Sequence, residues 1–139
     1  MSRLRLSALA LGVVAVVAAA LLLPPPASAE RGGWEFLGSR MVNDRLDRDE
    51  IDVTASKGDF KAIKLTVKRR PVHFLDVKVH FGSGGTQDVE IRQVIPAGGE
   101  TRVIDLRGGD RFVKKVVFWY EANSLGKGKR SEVHLWGLR

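Results

Sequence analysis

The clearest structural signal in the chain is the run AIKLTVKRRPVHFLDVKVHFGSGGTQDVEIRQVI at residues 62–95. Its apolar and polar residues alternate, so Ile63, Leu65 and Val67 lie on one face of an extended chain. The pattern repeats in a second set of predicted core residues: Leu75, Val77, Val79 and Phe81. A period of two predicts half-buried strands rather than helices.

The same alternation extends in both directions from this run, in short segments separated by glycine-rich turns. No segment has a convincing helical period. We predict strands at Trp34–Ser39, Glu50–Ala55, Ala62–Lys68, His73–Phe81, Asp88–Ile95, Thr101–Leu106, Val113–Glu121 and Ser131–Trp136. Eight short antiparallel strands in one domain predict an all-β fold, a single jelly-roll-like β-sandwich.

The loop at residues 82–86 sets the predicted register of a hairpin, because core-facing residues must oppose core-facing partners. Pairing Val79 with Val89 and Val77 with Ile91 meets that condition. This register sets three outward pairs of complementary charge opposite each other: His80 with Asp88, Lys78 with Glu90, and Asp76 with Arg92. Cross-strand pairs of this kind help to specify register.

The strand Val113–Glu121 differs from the others because it is apolar on both faces. One face would carry Val116, Phe118 and Tyr120, and the other Val113, Val117 and Trp119. Two interpretations remain open. The strand is central and covered on both sides, or Val117 and Trp119 form an exposed patch that meets a ligand or another subunit.

Residues 1–29 have the pattern of a signal peptide. Arg3 and Arg5 precede an apolar run, three prolines follow, and Ala27-Ser28-Ala29 is a small-residue triplet that suits signal peptidase. We therefore predict export to the periplasm or the extracellular space, with a mature domain over residues 30–139. The alternative is a retained N-terminal anchor, since the apolar run is at the lower edge of the length that spans a bilayer.

Composition limits the classes of function. The 139-residue chain has 23 basic and 16 acidic residues and no cysteine. Removing Arg3 and Arg5 leaves 21 basic residues, so residues 30–139 still carry a net charge of +5. Without cysteine there is no disulfide, thiol catalysis or thiolate metal site. For an exported basic protein, the expected polyanions are lipid headgroups, lipopolysaccharide, teichoic acids or acidic glycans rather than nucleic acid.

No catalytic, cofactor-binding or metal-binding motif is evident. The chain has three histidines, His73, His80 and His134. His73 and Asp76 would point to opposite faces of a strand, and Asp76 and His80 would share a face about 13 Å apart, so neither pair can hold one metal ion. The densest carboxylate group lacks the spacing and central glycine of a calcium loop and is interleaved with arginines, so we predict a solvated loop; it comprises Asp44, Asp47, Asp49, Glu50 and Asp52. We expect no cofactor and no metal.

Aromatic side chains offer the best route to ligand binding, although a small cysteine-free domain also needs them for burial. The candidates are Trp34, Trp119, Tyr120 and Trp136. We predict a ligand site at Trp119 and Tyr120, to which a basic loop adds Lys127, Lys129 and Arg130. This loop is either a mobile basic flap beside Trp119 or a long hairpin connection. A second polar group, Arg102, Asp105 and Arg111, is expected to be buried, mutually paired and structural, and the alternative is a functional cluster.

Three motifs carry a family resemblance: VKVHFGSG at 77–84, IRQVIPAGGETRVIDL at 91–106 and RFVKKVVFWY at 111–120. Leu37-Gly-Ser and Leu135-Trp-Gly extend it over most of the mature domain. The chain resembles a widespread group of short exported bacterial proteins of uncharacterised function. This resemblance implies export and a β-sandwich, and it brings no catalytic residues.

The sequence therefore favours a non-catalytic binding or structural module of the cell envelope that contacts an anionic or glycan component. One alternative is an envelope-glycan hydrolase, which would need two converging carboxylates among Asp49, Asp52, Glu100 and Asp105. Another is a self-associating protein that uses the strand Val113–Glu121. The oligomeric state stays open.

Overall fold

A computed structural model of the chain describes residues 30–31, 33–54 and 57–139. The predicted signal peptide and the predicted strand end at Ala55 lie outside these residues. Two antiparallel sheets pack face to face, which confirms the predicted all-β sandwich. Within the described part of the chain, no helix has the length and apolar character needed to cross a membrane.

The strands, in chain order, are β1 (Glu30–Arg31), β2 (Trp34–Asn43), β3 (Arg48–Asp52), β4 (Asp59–Phe60), β5 (Ala62–Lys68), β6 (Val72–Phe81), β7 (Thr86–Ile95), β8 (Ile104–Asp105), β9 (Arg111–Tyr120) and β10 (Arg130–Leu138). A 3-10 turn at Ala122–Leu125 follows β9. The β10 sheet has the order β1-β2-β10-β5-β8. The β9 sheet has the order β3-β9-β6-β7, with β4 also paired to β9.

Most predicted strands form, and β5 has the predicted bounds. The predicted strand Thr101–Leu106 is reduced to the two residues of β8. Its first residue, Thr101, uses its hydroxyl to accept a hydrogen bond from the Leu65 amide at 3.1 Å, so a side chain replaces regular strand pairing there. The short strands β1 and β4 were not predicted, because two-residue segments carry no alternation.

The core lies between the two sheets and contains the predicted residues Ile63, Leu65 and Val67, each at most 1% exposed. Leu75 was wrongly assigned to this core. The β6 register shifts between Phe74 and Asp76, which puts Phe74 in the core and leaves Leu75 half-buried. A bulge of this kind reverses the side to which the following residues point, and alternation alone does not locate it.

The β6–β7 hairpin also differs from the predicted register. Val77 pairs with Val89 and Val79 pairs with Gln87, so each partner lies two residues earlier in β7 than predicted. The even shift preserves the face on which each side chain lies. The shift does change which outward residues lie opposite each other. It accompanies a shorter loop, residues 82–85, in which the Gly85 carbonyl accepts a hydrogen bond from the Phe81 amide at 2.9 Å.

The outward pairs of this hairpin therefore require correction. Lys78 lies opposite Asp88, and their charged atoms are 3.7 Å apart. Asp76 lies opposite the like-charged Glu90, whereas His80 lies opposite Thr86 rather than Asp88. Glu90 is neutralised within its own strand by Arg92 at 3.2 Å. Of the three predicted ion pairs, none forms with its predicted partner.

Strand β9 is central, since it lies between β6 on one side and β3 and β4 on the other. This agrees with the interpretation that its two apolar faces belong to a central strand. Val113 was predicted on the outer face but belongs to the core cluster, because the register against β6 shifts between His80 and Phe81. Val117 stays on the outer face and is nevertheless only 1% exposed. Trp119, two residues further along, is half-buried.

One test of this packing is the substitution Gly137→Ala in β10. A Cβ there would lie 2.6 Å from Phe60 Cδ1 and 2.9 Å from Leu37 Cδ1, inside the core. We expect Gly137→Ala to lower the free energy of unfolding by about 1–3 kcal/mol, as overpacked cores do. Gly85→Ala is the matched control, because a Cβ at Gly85 would meet no atom closer than 3.9 Å. Urea denaturation that shows equal stability for both variants would contradict the packing described.

Candidate functional site

The outer face of the β9 sheet is organised around Trp119. Arg48 of β3 lies directly opposite Trp119 on one side, and Asp76 of β6 lies directly opposite it on the other. Directly paired residues of antiparallel strands point to the same face, so the three side chains form one row across the sheet. Glu90 of β7 extends this row beyond Asp76.

A second row crosses the sheet beside the first. It consists of Glu50, Val117, Lys78 and Asp88, which are successive partners across β3, β9, β6 and β7. Lys115, two residues from Val117 on the same strand, contacts Glu50 with Nζ 3.0 Å from Oε2. Val117 is thus surrounded by charged side chains whose hydrocarbon stems cover apolar surface.

Two hollows lie beside the Trp119 ring, each about 540 Å³ in volume. One is lined by Leu75, Asp76, Lys78, Asp88, Val89, Glu90 and Trp119. The other is lined by Arg40, Leu46, Asp47, Arg48, Asp49, Glu50 and Trp119. Trp119 is the side chain common to both walls, so it is the element around which a ligand on this face would be placed.

Most charges in the two walls are already paired. Arg40 bonds Asp49 at 2.9 Å, Lys115 pairs with Glu50, and Lys78 pairs with Asp88. Arg48 and Asp76 differ, since neither has an ion-pair partner within 4.0 Å among the described residues. The Arg48 guanidinium carbon lies over the Trp119 ring, 5.8 Å from its centroid. The row thus presents an unpaired cation, an indole and an unpaired carboxylate.

These contacts shift two ionisation equilibria near the site. The hydrogen bond from Lys115 lowers the pKa of Glu50, and this effect outweighs the opposing effect of burial. Burial lowers the pKa of His80, and the nearby charges of Lys115 and Lys78 lower it further. At neutral pH Glu50 is therefore ionised and His80 is a neutral imidazole.

Tyr120 does not bind ligand on this face, which corrects the prediction. Its side chain is fully buried on the core side of β9, and its hydroxyl donates to Asp49 Oδ2 at 2.9 Å. Arg40 Nε donates to the other oxygen, Oδ1, at 2.9 Å. Burial and the bond to Asp49 raise the pKa of Tyr120. Strand alternation required this outcome, because neighbouring residues of a strand cannot share a face.

The basic loop does not reach Trp119. Lys127, Lys129 and Arg130 are exposed, and neither hollow includes them in its lining. The loop is instead attached at Gly128, whose amide donates to Asp44 Oδ2 at 2.8 Å. The predicted basic flap beside the indole therefore does not form.

The predicted cluster of Arg102, Asp105 and Arg111 does not form either. Arg102 is exposed and donates to the Glu90 carbonyl at 3.2 Å, which covers part of the free edge of β7. Arg111 bonds the Arg107 carbonyl at 2.8 Å, and Asp105 is exposed. The polar residues lie on different surfaces because the strand from Thr101 is interrupted before β8.

The remaining tryptophans lie on the opposite side of the sandwich, on the β10 sheet. Lys64 Nζ lies 4.4 Å from the Trp34 ring centroid. Trp136 packs its ring edge to face with Phe36 at 5.5 Å and donates its Nε1–H to Thr66 Oγ1 at 3.0 Å. Both indoles already have contacts within the protein.

Several of the carboxylates considered for metal binding or hydrolysis have separate partners. Asp47 accepts the Ala122 amide at 3.2 Å, Asp44 accepts that of Gly128, and Asp49 is enclosed by Arg40 and Tyr120. Among the described residues, no three His, Asp or Glu side chains are grouped to hold a metal ion. Of the four hydrolase candidates, only Asp49 lines either hollow around Trp119.

Sequence reasoning did not identify Arg48, Asp76 or Leu75 as site residues. Arg48 and Asp76 meet Trp119 only through pairing between strands that are distant in sequence. Leu75 reaches the wall only because of the β6 bulge. The sequence carried one relevant signal, the apolar residues on the outer face of β9. A strand that is apolar on both faces is central, so residues of two neighbouring strands lie beside Trp119.

The fold and this face define an antiparallel β-sandwich that presents a tryptophan-centred polar surface on one sheet. The chain belongs to the family described as a domain of unknown function (DUF2541), whose model matches residues 14–137. This membership confirms the resemblance to a family of uncharacterised proteins. No curated protein matches the chain.

AlgX is a solved structure that shares the fold. AlgX from Pseudomonas aeruginosa matches with a TM-score of 0.51 and 20% identity, over 76% of this chain and 27% of AlgX. The chain thus spans about a quarter of that protein, and the similarity shows the fold alone. A mutant of a family 29 carbohydrate-binding module matches with a TM-score of 0.35 and 14% identity, over 80% of this chain and 82% of the module. A TM-score this low carries no argument about function.

The Glu50–Lys115 pair makes a prediction about pH. Because the folded pKa of Glu50 lies below 4.5, its ionisation stabilises the fold above that pH, and the stabilisation is lost as the pH falls through the folded pKa. We expect Glu50→Gln to be less stable than the wild type at pH 7, with a difference that shrinks below about pH 4.5. Urea denaturation between pH 7 and pH 3 measures this.

Lys115→Gln supplies the control, since Glu50→Gln made in that background removes no ion pair. The pH-dependent part of the difference should then largely disappear. A wild-type advantage that is constant from pH 7 to pH 3 would contradict the assigned pair.

Proposed function

We propose that this protein is an exported, non-catalytic module that binds a glycan component of the cell envelope on the Trp119 face. One observation carries the proposal: the half-buried indole of Trp119 forms a wall of two hollows whose other walls consist mainly of charged and polar side chains. Binding sites for small ligands combine an apolar surface with a few convergent polar groups.

A sugar ring matches this arrangement chemically. One side of a pyranose is lined by C–H bonds, and its rim carries hydroxyl groups. The indole offers a flat apolar surface with a negative face to the C–H side. Asp76 and Arg48 flank the same indole and supply an acceptor and donors for the rim.

The site supports specific recognition over attraction by charge alone. Lys78 and Arg40 line the hollows beside Trp119, Lys115 lies near Val117, and each of these three cations is paired with a carboxylate. A surface that bound polyanions only through net charge would present unpaired basic residues. The net charge of +5 on residues 30–139 therefore assists encounter but does not define the site.

The two alternatives from the sequence find less support. Of the four carboxylates that the sequence suggested for a glycan hydrolase, only Asp49 lines a hollow, and it is already bonded to both Arg40 and Tyr120. Self-association by pairing of β9 is blocked, because both edges of β9 are occupied by other strands. Val117, which would supply apolar contact area, is 1% exposed.

Export predicts a defined N-terminus. After expression of the full chain, we expect the protein in the periplasm or the culture medium, with Glu30 as its first residue by N-terminal sequencing. Replacing both Ala27 and Ala29 with bulky residues should block processing and leave the longer form at the membrane. A full-length protein in the cytoplasm would contradict the proposed location.

The binding prediction concerns Trp119→Ala. The product of the full-length gene is titrated calorimetrically with a panel of neutral and acidic envelope oligosaccharides. We expect at least one oligosaccharide to bind, and Trp119→Ala to weaken it by about ten- to thirtyfold, as loss of a central aromatic anchor does. Trp119→Phe should retain part of the affinity, since it keeps an aromatic face.

Trp34→Ala is the matched control because it removes the same type of side chain from the opposite sheet. It should leave the affinity unchanged, and thermal unfolding of each variant confirms that it is folded. Equal loss of affinity in the Trp34 and Trp119 variants, or no binding by any member of the panel, would contradict the proposal.

A further inference from the structure

We propose that the glycan bound on this face contains a carboxylated sugar of the uronic acid class and that Arg48 selects it. This inference rests on the proposed function and specifies the chemistry of its ligand. The juxtaposition that carries it is the row Arg48, Trp119, Asp76, which places an unpaired guanidinium, an indole and an unpaired carboxylate on three adjacent strands.

The row has the dimensions of a single sugar residue. Adjacent strands of a sheet are about 4.8 Å apart, so the backbone positions of Arg48 and Asp76 are separated by about 10 Å with Trp119 midway. A pyranose ring with its substituents spans a similar width. A ring that lies across the exposed part of the indole, between the hollow lined by Arg48 and the hollow lined by Asp76, therefore reaches both side chains.

Arg48 is a cation in this row that remains free to bind an anion. Among the described residues it has no ion-pair partner, whereas Arg40 is held by Asp49 at 2.9 Å and Lys115 by Glu50 at 3.0 Å. Its guanidinium lies over the indole at 5.8 Å, and this cation–π contact restricts where the group can lie. The edge of a guanidinium presents donors in a planar fork that matches a carboxylate.

Asp76 determines the orientation of the sugar. As an ionised carboxylate it only accepts hydrogen bonds and repels another carboxylate. It therefore favours hydroxyl groups at its end of the row and directs the acidic substituent of the sugar toward Arg48. Glu90, the next residue of the row, is paired with Arg92 at 3.2 Å, so Arg92 is not a free cation at the Asp76 end of the row.

The test compares acidic oligosaccharides with their methyl esters, which keep the backbone and remove the charge. Oligomers of galacturonate, of mannuronate with guluronate, and of alternating glucuronate are each titrated calorimetrically in both forms. We expect at least one acidic oligomer to bind about ten- to a hundredfold more tightly than its ester, as a charge-assisted hydrogen bond allows. Arg48→Gln should remove this preference, because it weakens binding of the acid far more than binding of the ester.

Lys68→Gln is the control for net charge, since Lys68 is an exposed cation on the opposite sheet. It changes the total charge as Arg48→Gln does and should preserve the preference for the acid. Trp119→Ala should weaken binding of acid and ester together. A loss of structure in the Arg48 variant would weaken acid and ester to the same degree, whereas loss of the selecting group weakens mainly the acid.

Two outcomes would overturn the inference and are distinguishable. Equal binding of acid and ester, with no effect of Arg48→Gln but a loss in Trp119→Ala, would reject the acidic sugar and leave the proposed function intact. No binding of any oligomer, or binding that Lys68→Gln reduces as much as Arg48→Gln, would reject the selection by Arg48. If neutral glycans also fail to bind, the proposed function fails with it.

Discussion

The need to bury both faces of β9 governs the rest of the structure. Val113, Val116, Phe118 and Tyr120 point inward and belong to the core cluster. Val117 points outward, outside that cluster, and is still only 1% exposed. A valine can be excluded from water on an outer sheet face only if its neighbours close over it. The paired charges of Lys115 with Glu50 and of Lys78 with Asp88 surround it on this face. These charged pairs cover Val117 and leave the Trp119 side chain partly open to solvent.

A site on a central strand is rigid, which suits recognition of a weakly binding ligand such as a sugar. Strand β9 is held by hydrogen bonds along both edges, and its last residue, Tyr120, is fixed by Asp49 and through it by Arg40 of the other sheet. Trp119 lies next to this anchor on the opposite face. Side chains held in place before binding lose little conformational freedom when the ligand arrives. The buried Tyr120–Asp49–Arg40 contact therefore helps to fix the position of Trp119 on the exposed face, although none of its atoms needs to contact a ligand.

The sequence was sufficient for the architecture, but not for predicting which side chains lie around Trp119. Period-two alternation identifies strands such as β5, because every second residue of a half-buried strand must be apolar. The two β-bulges, which move Leu75 outward and Val113 inward, depend on pairing across strands and leave no local pattern. Arg48 and Asp76 were missed for the same reason. Tyr120 was misassigned although alternation already separated it from Trp119, so this error was one of interpretation rather than of missing information.

The most direct test of the account uses the three tryptophans of the chain as reporters. Their indole N–H groups give three resonances in an amide correlation NMR spectrum, which Trp34→Phe, Trp119→Phe and Trp136→Phe assign. The Trp136 N–H is bonded to Thr66 and the Trp34 ring is covered by Lys64, both on the β10 sheet. On titration with a binding oligosaccharide, the account predicts that the Trp119 resonance shifts and the other two stay in place. A shift of the Trp34 or Trp136 resonance with an unchanged Trp119 resonance would place the ligand on the opposite sheet and contradict the central claim.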